Sequence, residues 1–143
     1  MTPEQVEILQ LSLAQLGQRA PELAQRFYSH LFESVPSCRS MFSEDPADQE
    51  AIFMSELAII VASISEFEAF VSRTERLGAR HAGYGVTCEH YQVAGSALLE
   101  ALAETLGPGC TAELQDAWRL AFDLVAETMM QGAADLSPDR RGA

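Results

Sequence analysis

The chain has no lysine and no asparagine, and its nine basic residues are all arginine. Against them stand twenty-one acidic residues, for a formal net charge of −12. A field of that sign repels phosphate backbones and anionic headgroups, which argues against nucleic-acid and membrane-surface partners. Long hydrophobic runs are missing as well. The longest, Leu57 to Ala62, is six residues, far below the roughly 20 that a membrane span needs. Met1-Thr2-Pro3-Glu4 offers neither a basic nor an apolar leader segment, so a cytoplasmic location is expected. Cysteine is scarce: Cys38, Cys88 and Cys110 form no C-x-x-C pair for zinc and no C-x-x-C-H for covalently attached haem. Reduced thiols are the expectation. No stretch alternates with period two, no glycine-rich phosphate loop is present, and nothing assembles a Ser-His-Asp set.

What remains is 143 residues, 48% hydrophobic, enough for one domain with a real core. Breakers and caps divide it into about seven helical segments. Thr2-Pro3-Glu4-Gln5 is a capping box, followed by Val6, Leu9, Leu13 and Leu16 at helical spacing up to Gly17. Pro21 opens a second helix with Leu23, Phe27 and Leu31 on one face, and Pro36 a short third turn ending near Phe42. Asp45-Pro46 caps a fourth helix whose inner side carries Gln49, Phe53, Leu57, Ile60 and Ile64. A fifth, after Ser65, stacks Phe70, Thr74, Leu77 and His81 before Gly83 and Gly85. Thr87 caps a sixth, from about Cys88 to Leu106, which Gly107-Pro108-Gly109 stops; Thr111 caps a seventh through Trp118, Phe122 and Met129 to Gly132. The fold class is all-α.

His81 ends an apolar stripe where a helix runs out into Gly-x-Gly, which places an imidazole on an inward face beside slack backbone. That position suits an iron ligand, and it equally suits a core histidine satisfied by a carbonyl. His30 and His90 lie on mixed helix flanks and read as solvated or satisfied. The ordered set Phe27-Tyr28, Met41-Phe42 with Gln49 seven residues on, Leu77 to Val86, Glu89-His90-Tyr91 and Ala117-Trp118 carries more weight than any one member. With this set the chain resembles single-domain bacterial globins of the flavohaemoglobin lineage, over roughly residues 5–132.

The resemblance implies a globin fold of about seven helices around haem b, with a globin domain over 1–132 and a polar, frayed tail over 133–143. It makes His81 the iron ligand and sets Tyr28 and Gln49 as the polar pair that stabilises bound O2. Phe42 becomes the aromatic that wedges against the haem face. Tyr91 supports the His81 side, and Arg80 meets a propionate. Phe53, Leu57, Leu77 and Ala94 become pocket walls, as do Phe122 and Met129; Tyr84 and Val86 fall within the matching motif beside them.

The chain departs from that lineage at three places. A glutamate late in the last helix, which there enriches the imidazole, is matched by Ala133, and Asp135 or Glu127 can replace it only if the helix shifts. Ile52 and Phe53 replace a basic residue and a smaller aliphatic, which removes a propionate partner and narrows the cavity. With 143 residues, no flavin or nicotinamide domain is expected beside the globin-like one. The expected function is reversible O2 binding, for storage or transport, at an iron with one position left open. The alternative is a nitric oxide dioxygenase or weak peroxidase, with Tyr28 and Gln49 catalytic, that draws electrons from a separate reductase. O2, NO and CO are the expected small partners, and the protein is expected to be a monomer or homodimer.

Overall fold

The computed structural model describes residues 1–42 and 45–142, of which residues 135–142 are described by backbone alone. Among the described residues there are six α-helices: α1 (Pro3–Leu16), α2 (Ala20–Ser34), α3 (Pro46–Ser63), α4 (Phe67–Gly83), α5 (Cys88–Leu106) and α6 (Ala112–Gly142). The short segment expected as a further helix, Pro36–Met41, is a 3-10 helix. Its six residues lie between Val35 (φ −136°) and the extended Phe42, which leaves two turns at most. No described helix is long and apolar enough to cross a membrane. The backbone of α6 continues through the stretch expected as a frayed tail as far as Gly142, while Ala143 lies outside the described residues.

The caps are local chemistry. Thr2 Oγ1 accepts the Gln5 N–H at 3.1 Å and Gln5 Oε1 accepts the Thr2 N–H at 2.9 Å, with Pro3 in the first turn. Asp45 accepts from the Ala47 N–H at 3.1 Å to start α3, and Thr111 from the Leu114 N–H at 3.2 Å to start α6. At α5 the Thr87 N–H donates to His90 Nδ1 at 2.9 Å, so His90 is satisfied at a helix start. Gly107, at φ 58° and ψ −129°, takes a positive-φ conformation that only glycine adopts readily, and this ends α5.

Two helix pairs dominate the packing: α4 with α6, and α2 with α5. α4 and α6 approach through glycine. A Cβ added at Gly78 would stand 2.5 Å from Met129 Cα, and one at Gly132 would stand 2.6 Å from Glu75 Cα. Backbone therefore lies on backbone at both ends of this crossing. α2 and α5 bury Leu23, Phe27, Leu98 and Leu102 in the main core and are pinned outside it by His30. Its ring nitrogens meet Glu100 at 2.9 Å and Glu104 at 2.7 Å. Trp118, 2% exposed, donates its indole N–H to Ser12 Oγ at 2.8 Å, and Ser12 in turn donates to the Leu9 carbonyl. This ties α6 to α1 through the core.

Candidate functional site

Between the helices lies a cavity of about 650 Å3, walled mostly by apolar side chains. All of the residues that the resemblance assigns to the iron, the haem or the bound ligand line it. α2 contributes Tyr28 and the loop after the 3-10 segment contributes Phe42; α3 adds Gln49, Phe53 and Leu57. From α4 come Leu77, Arg80 and His81, with Tyr84 and Val86 just beyond its end. α5 supplies Tyr91 and Ala94, and α6 supplies Phe122 and Met129. The topology thus gathers a set spread over a hundred residues of sequence into one chamber.

His81 is half-buried on the inner face of α4, because the stripe that contains Phe70, Thr74 and Leu77 carries it inward. Its Nδ1 lies 2.9 Å from the Leu77 carbonyl. A carbonyl only accepts, so the proton is on Nδ1 and the lone pair is on Nε2. Burial lowers the His81 pKa; the Leu77 carbonyl and the charge of Glu56 pull it back up, and Arg80 pushes it down. The net direction is downward, so the ring is neutral at physiological pH, as a metal ligand must be. The Tyr84 ring meets it edge-on at 6.4 Å.

Tyr28 is almost fully buried in an aromatic nest, with Phe27 at 5.0 Å, Phe42 at 5.3 Å and Phe53 at 5.7 Å between ring centroids. Gln49 Nε2 donates to its hydroxyl at 3.2 Å, which leaves the phenolic proton to be donated elsewhere. Burial pushes the Tyr28 pKa up to about 12, the Gln49 hydrogen bond opposes the rise, and Glu50 adds to it. The phenol is therefore a donor throughout the physiological range. Phe53 stacks on Phe27 at 4.3 Å, which shows how a large ring at this position is accommodated. Burial likewise raises Tyr91 to about 12, with a smaller push from Cys88.

Arg80 and Tyr84 are solvent-exposed, and so is Ile52, which also lines the cavity; these mark its mouth. Position 133 is an alanine, so no side-chain carboxylate is offered there. Glu127 is exposed and does not line the cavity, and the Asp135 side chain lies outside the described residues.

Several wall residues escaped the sequence reading. Ile60, Leu98, Trp118 and Ala126 are ordinary core positions whose stripe spacing says nothing about which void they border. Glu56 is the one acidic residue in the described wall; it is held by Arg73 Nη2 at 3.2 and 3.3 Å to its two oxygens. In the sequence it reads as a solvated charge, and no local signal separates it from its neighbours. Among the described residues no three His, Cys, Asp or Glu side chains gather as a metal site. His90 also lines the cavity, but its Nδ1 is taken by the Thr87 N–H. This leaves His81 as the imidazole with a free inward nitrogen, and a metal held by it needs a ligand that fills its other positions.

The family model described as Globin matches residues 25–129. The flavohemoprotein of Vibrio cholerae is 26% identical over the whole chain, and that of Deinococcus radiodurans is 28% identical over 91% of it. The chain covers 37% and 33% of these two proteins, about a third of the length of the curated relatives it matches. A bacterial globin from Campylobacter jejuni superposes with TM-score 0.83 at 24% identity, covering 96% of this chain and 99% of that one. An engineered carbene transferase from Rhodothermus marinus, whose parent is provisionally assigned as a nitric oxide dioxygenase, gives TM-score 0.85 at 27% identity over 99% of both chains.

Proposed function

The chain belongs to the globin family, and from that premise we propose that it binds O2 reversibly at a haem b whose iron is held by His81. The observation that carries this reading is a neutral imidazole and a buried Tyr28–Gln49 donor pair in one apolar cavity. The donor set fits the group: one imidazole nitrogen with its tautomer set, a chamber walled mostly by apolar side chains, and Arg80 at the mouth for a carboxylate. Bound haem supplies a ferrous iron that takes up a diatomic ligand reversibly.

The chain's own residues do the rest. The Leu77 carbonyl holds the Nδ1 proton and so orients the His81 ring and presents Nε2. Tyr28 donates to a guest that develops negative charge, and the low dielectric around it strengthens that bond. Gln49, bonded to the Tyr28 oxygen, fixes the phenol's position. Apolar walls such as Phe53 and Leu57 exclude the water that would otherwise compete for the donor.

A hydrogen bond to a charged acceptor is worth about 1.5–3 kcal/mol, so Tyr28→Phe should speed O2 release by about 10- to 150-fold. An unchanged release rate would remove Tyr28 from the role. His81→Ala should abolish or alter the Soret band of the haem-supplied protein and its shift on reduction; an unaltered spectrum would refute the ligand assignment.

A second reading, nitric oxide dioxygenation, is favoured by the Rhodothermus marinus relative. It joins NO, O2 and one electron into nitrate, and the electron has to come from a reductase. The −12 charge favours docking of a basic one. Sustained NO consumption with a separate reductase and NAD(P)H would select this reading.

A further inference from the structure

Among the described wall residues of the main cavity, those exposed to solvent are Ile52 on α3, Arg80 near the end of α4 and Tyr84 just beyond it. The mouth is therefore a slit between α3 and α4, and a rigid planar guest has to pass there. The two helices are joined by the turn around Ser65. Near that turn Ile60, Ile64, Phe70 and Val71 belong to one apolar cluster, which closes the far end of the slit.

Glu56 and Arg73 bridge the slit between its closed end and its mouth. Glu56 stands seven residues before the end of α3 and Arg73 six after the start of α4, about 10 Å along each helix from the turn at 1.5 Å per residue. Ile52 lies one turn further out on α3, and Arg80 two turns further out on α4. Arg73 Nη2 donates to both Glu56 oxygens, at 3.3 and 3.2 Å. Among the described residues this is the one side-chain hydrogen-bonded link between the two helices. The pair is partly shielded, with the Arg73 and Glu56 side chains 35% and 30% exposed. Arg73 Nε is buried and has no hydrogen-bond partner among the described residues. The guanidinium has thus given up water that only Glu56 replaces, and opening the pair means hydrating both ends again.

We propose that Glu56 and Arg73 form an ionic clasp across the α3–α4 slit that slows the loading and release of haem. This rests on the reading of the main cavity as a haem site. α3 carries Gln49 and Phe53 and α4 carries His81, so parting these helices draws apart the two faces of the chamber. The turn at Ser65 is the closed end about which the slit widens, and the pair, at mid-span, has to break each time it does. Neither residue touches the reacting atoms; both act by holding the walls at their spacing.

The test follows haem transfer from the haem-loaded ferric protein to excess apomyoglobin, read in the Soret band. Glu56→Gln and Arg73→Gln should each release haem about two- to fivefold faster, the range that an ion pair of this exposure spans. The exchanged pair, Glu56→Arg/Arg73→Glu, should return toward the parent rate. Glu104→Gln, which removes an ion pair between α2 and α5 away from the slit, should leave the rate unchanged. Raising salt to about 1 M should speed release more in the parent than in Glu56→Gln, because only the parent has the pair to screen. Parent-like rates in both single variants, or equal acceleration in Glu104→Gln, overturn the clasp. A chain that takes up no haem overturns the proposed function instead. Amide exchange of the haem-free chain then decides the clasp: Glu56→Gln should speed exchange over residues 53–60 of α3, and unchanged exchange there overturns it.

Discussion

Replacing Gly78 by alanine tests how the α4–α6 crossing sets the position of His81. In an exposed helix interior this change stabilises by about 1 kcal/mol, because alanine is the better helix former. Here the new Cβ lies 2.5 Å from Met129 Cα and closer still to the Met129 carbonyl, where ordinary contact begins at 3.4 Å. The opposing atoms are backbone, so no side chain can swing away and the helices must part. Overpacking of this kind costs about 1–3 kcal/mol or more, and two anchored glycines, Gly78 and Gly132, leave little freedom to slide. A net loss of about 2 kcal/mol would lower Tm by roughly 4–8 °C for a chain of this size. Gly83, which has nothing within 4 Å of an added Cβ, is the control, and its alanine variant should lose nothing. Urea unfolding followed by Trp118 fluorescence reads both, since that single tryptophan is buried at the core end of α6. Because α4 carries His81 one turn beyond Gly78, the variant should also bind haem more weakly. Equal midpoints for Gly78→Ala and Gly83→Ala would refute the argument.

Other expectations follow from single contacts. Ser12→Ala orphans the buried Trp118 indole N–H and should cost about 1–3 kcal/mol in chemical denaturation; a loss below a few tenths would mean that the bond contributes nothing. His30 is raised above its ordinary 6.5 by the hydrogen bond and charge of Glu104, then by Glu100 and Glu33, despite some desolvation. Its contribution to stability is therefore complete below 6.5 and fades as pH rises through the elevated folded value. The stability gap between the parent and His30→Gln should close as pH rises above 6.5 through that elevated value, and a pH-independent gap would contradict the pairing. Tyr28 and Tyr91, both raised to about 12 by burial, favour the folded state below their ordinary 10.0 and lose that contribution as pH climbs. Phenolate absorbance from both should stay absent until strongly alkaline pH or unfolding, and early titration of Tyr28 in particular would contradict its burial.

Helix starts and stops were legible because they are local. The Thr2–Gln5 box, Asp45-Pro46, Thr87, Gly107 and Thr111 act within four residues of themselves, so reading them needs no knowledge of the rest of the chain. Inward faces were legible for the same reason, since Phe70, Thr74, Leu77 and His81 share a face of any α-helix. Which inward residues border a cavity and which fill a core was decided only by packing. Leu9 and Ile60 belong to equally apolar stripes as Leu13, yet only the first two reach the cavity wall. The Leu77 carbonyl that fixes the His81 tautomer and the Gln49 amide that holds Tyr28 follow from side-chain orientation, which spacing alone leaves open. In the sequence Gly132 reads as the end of the last helix, and Gly78 carries no signal of its own. They become contact points only once α4 meets α6, because the reason for lacking a side chain sits some fifty residues away. The same holds for Glu56, an apparent surface charge that the fold turns toward the cavity and pairs with Arg73. The sequence by itself therefore determined the helices, their buried faces and the kind of chemistry available. The tertiary structure decided distances, protonation and where the voids lie, because those depend on atoms that approach from remote parts of the chain.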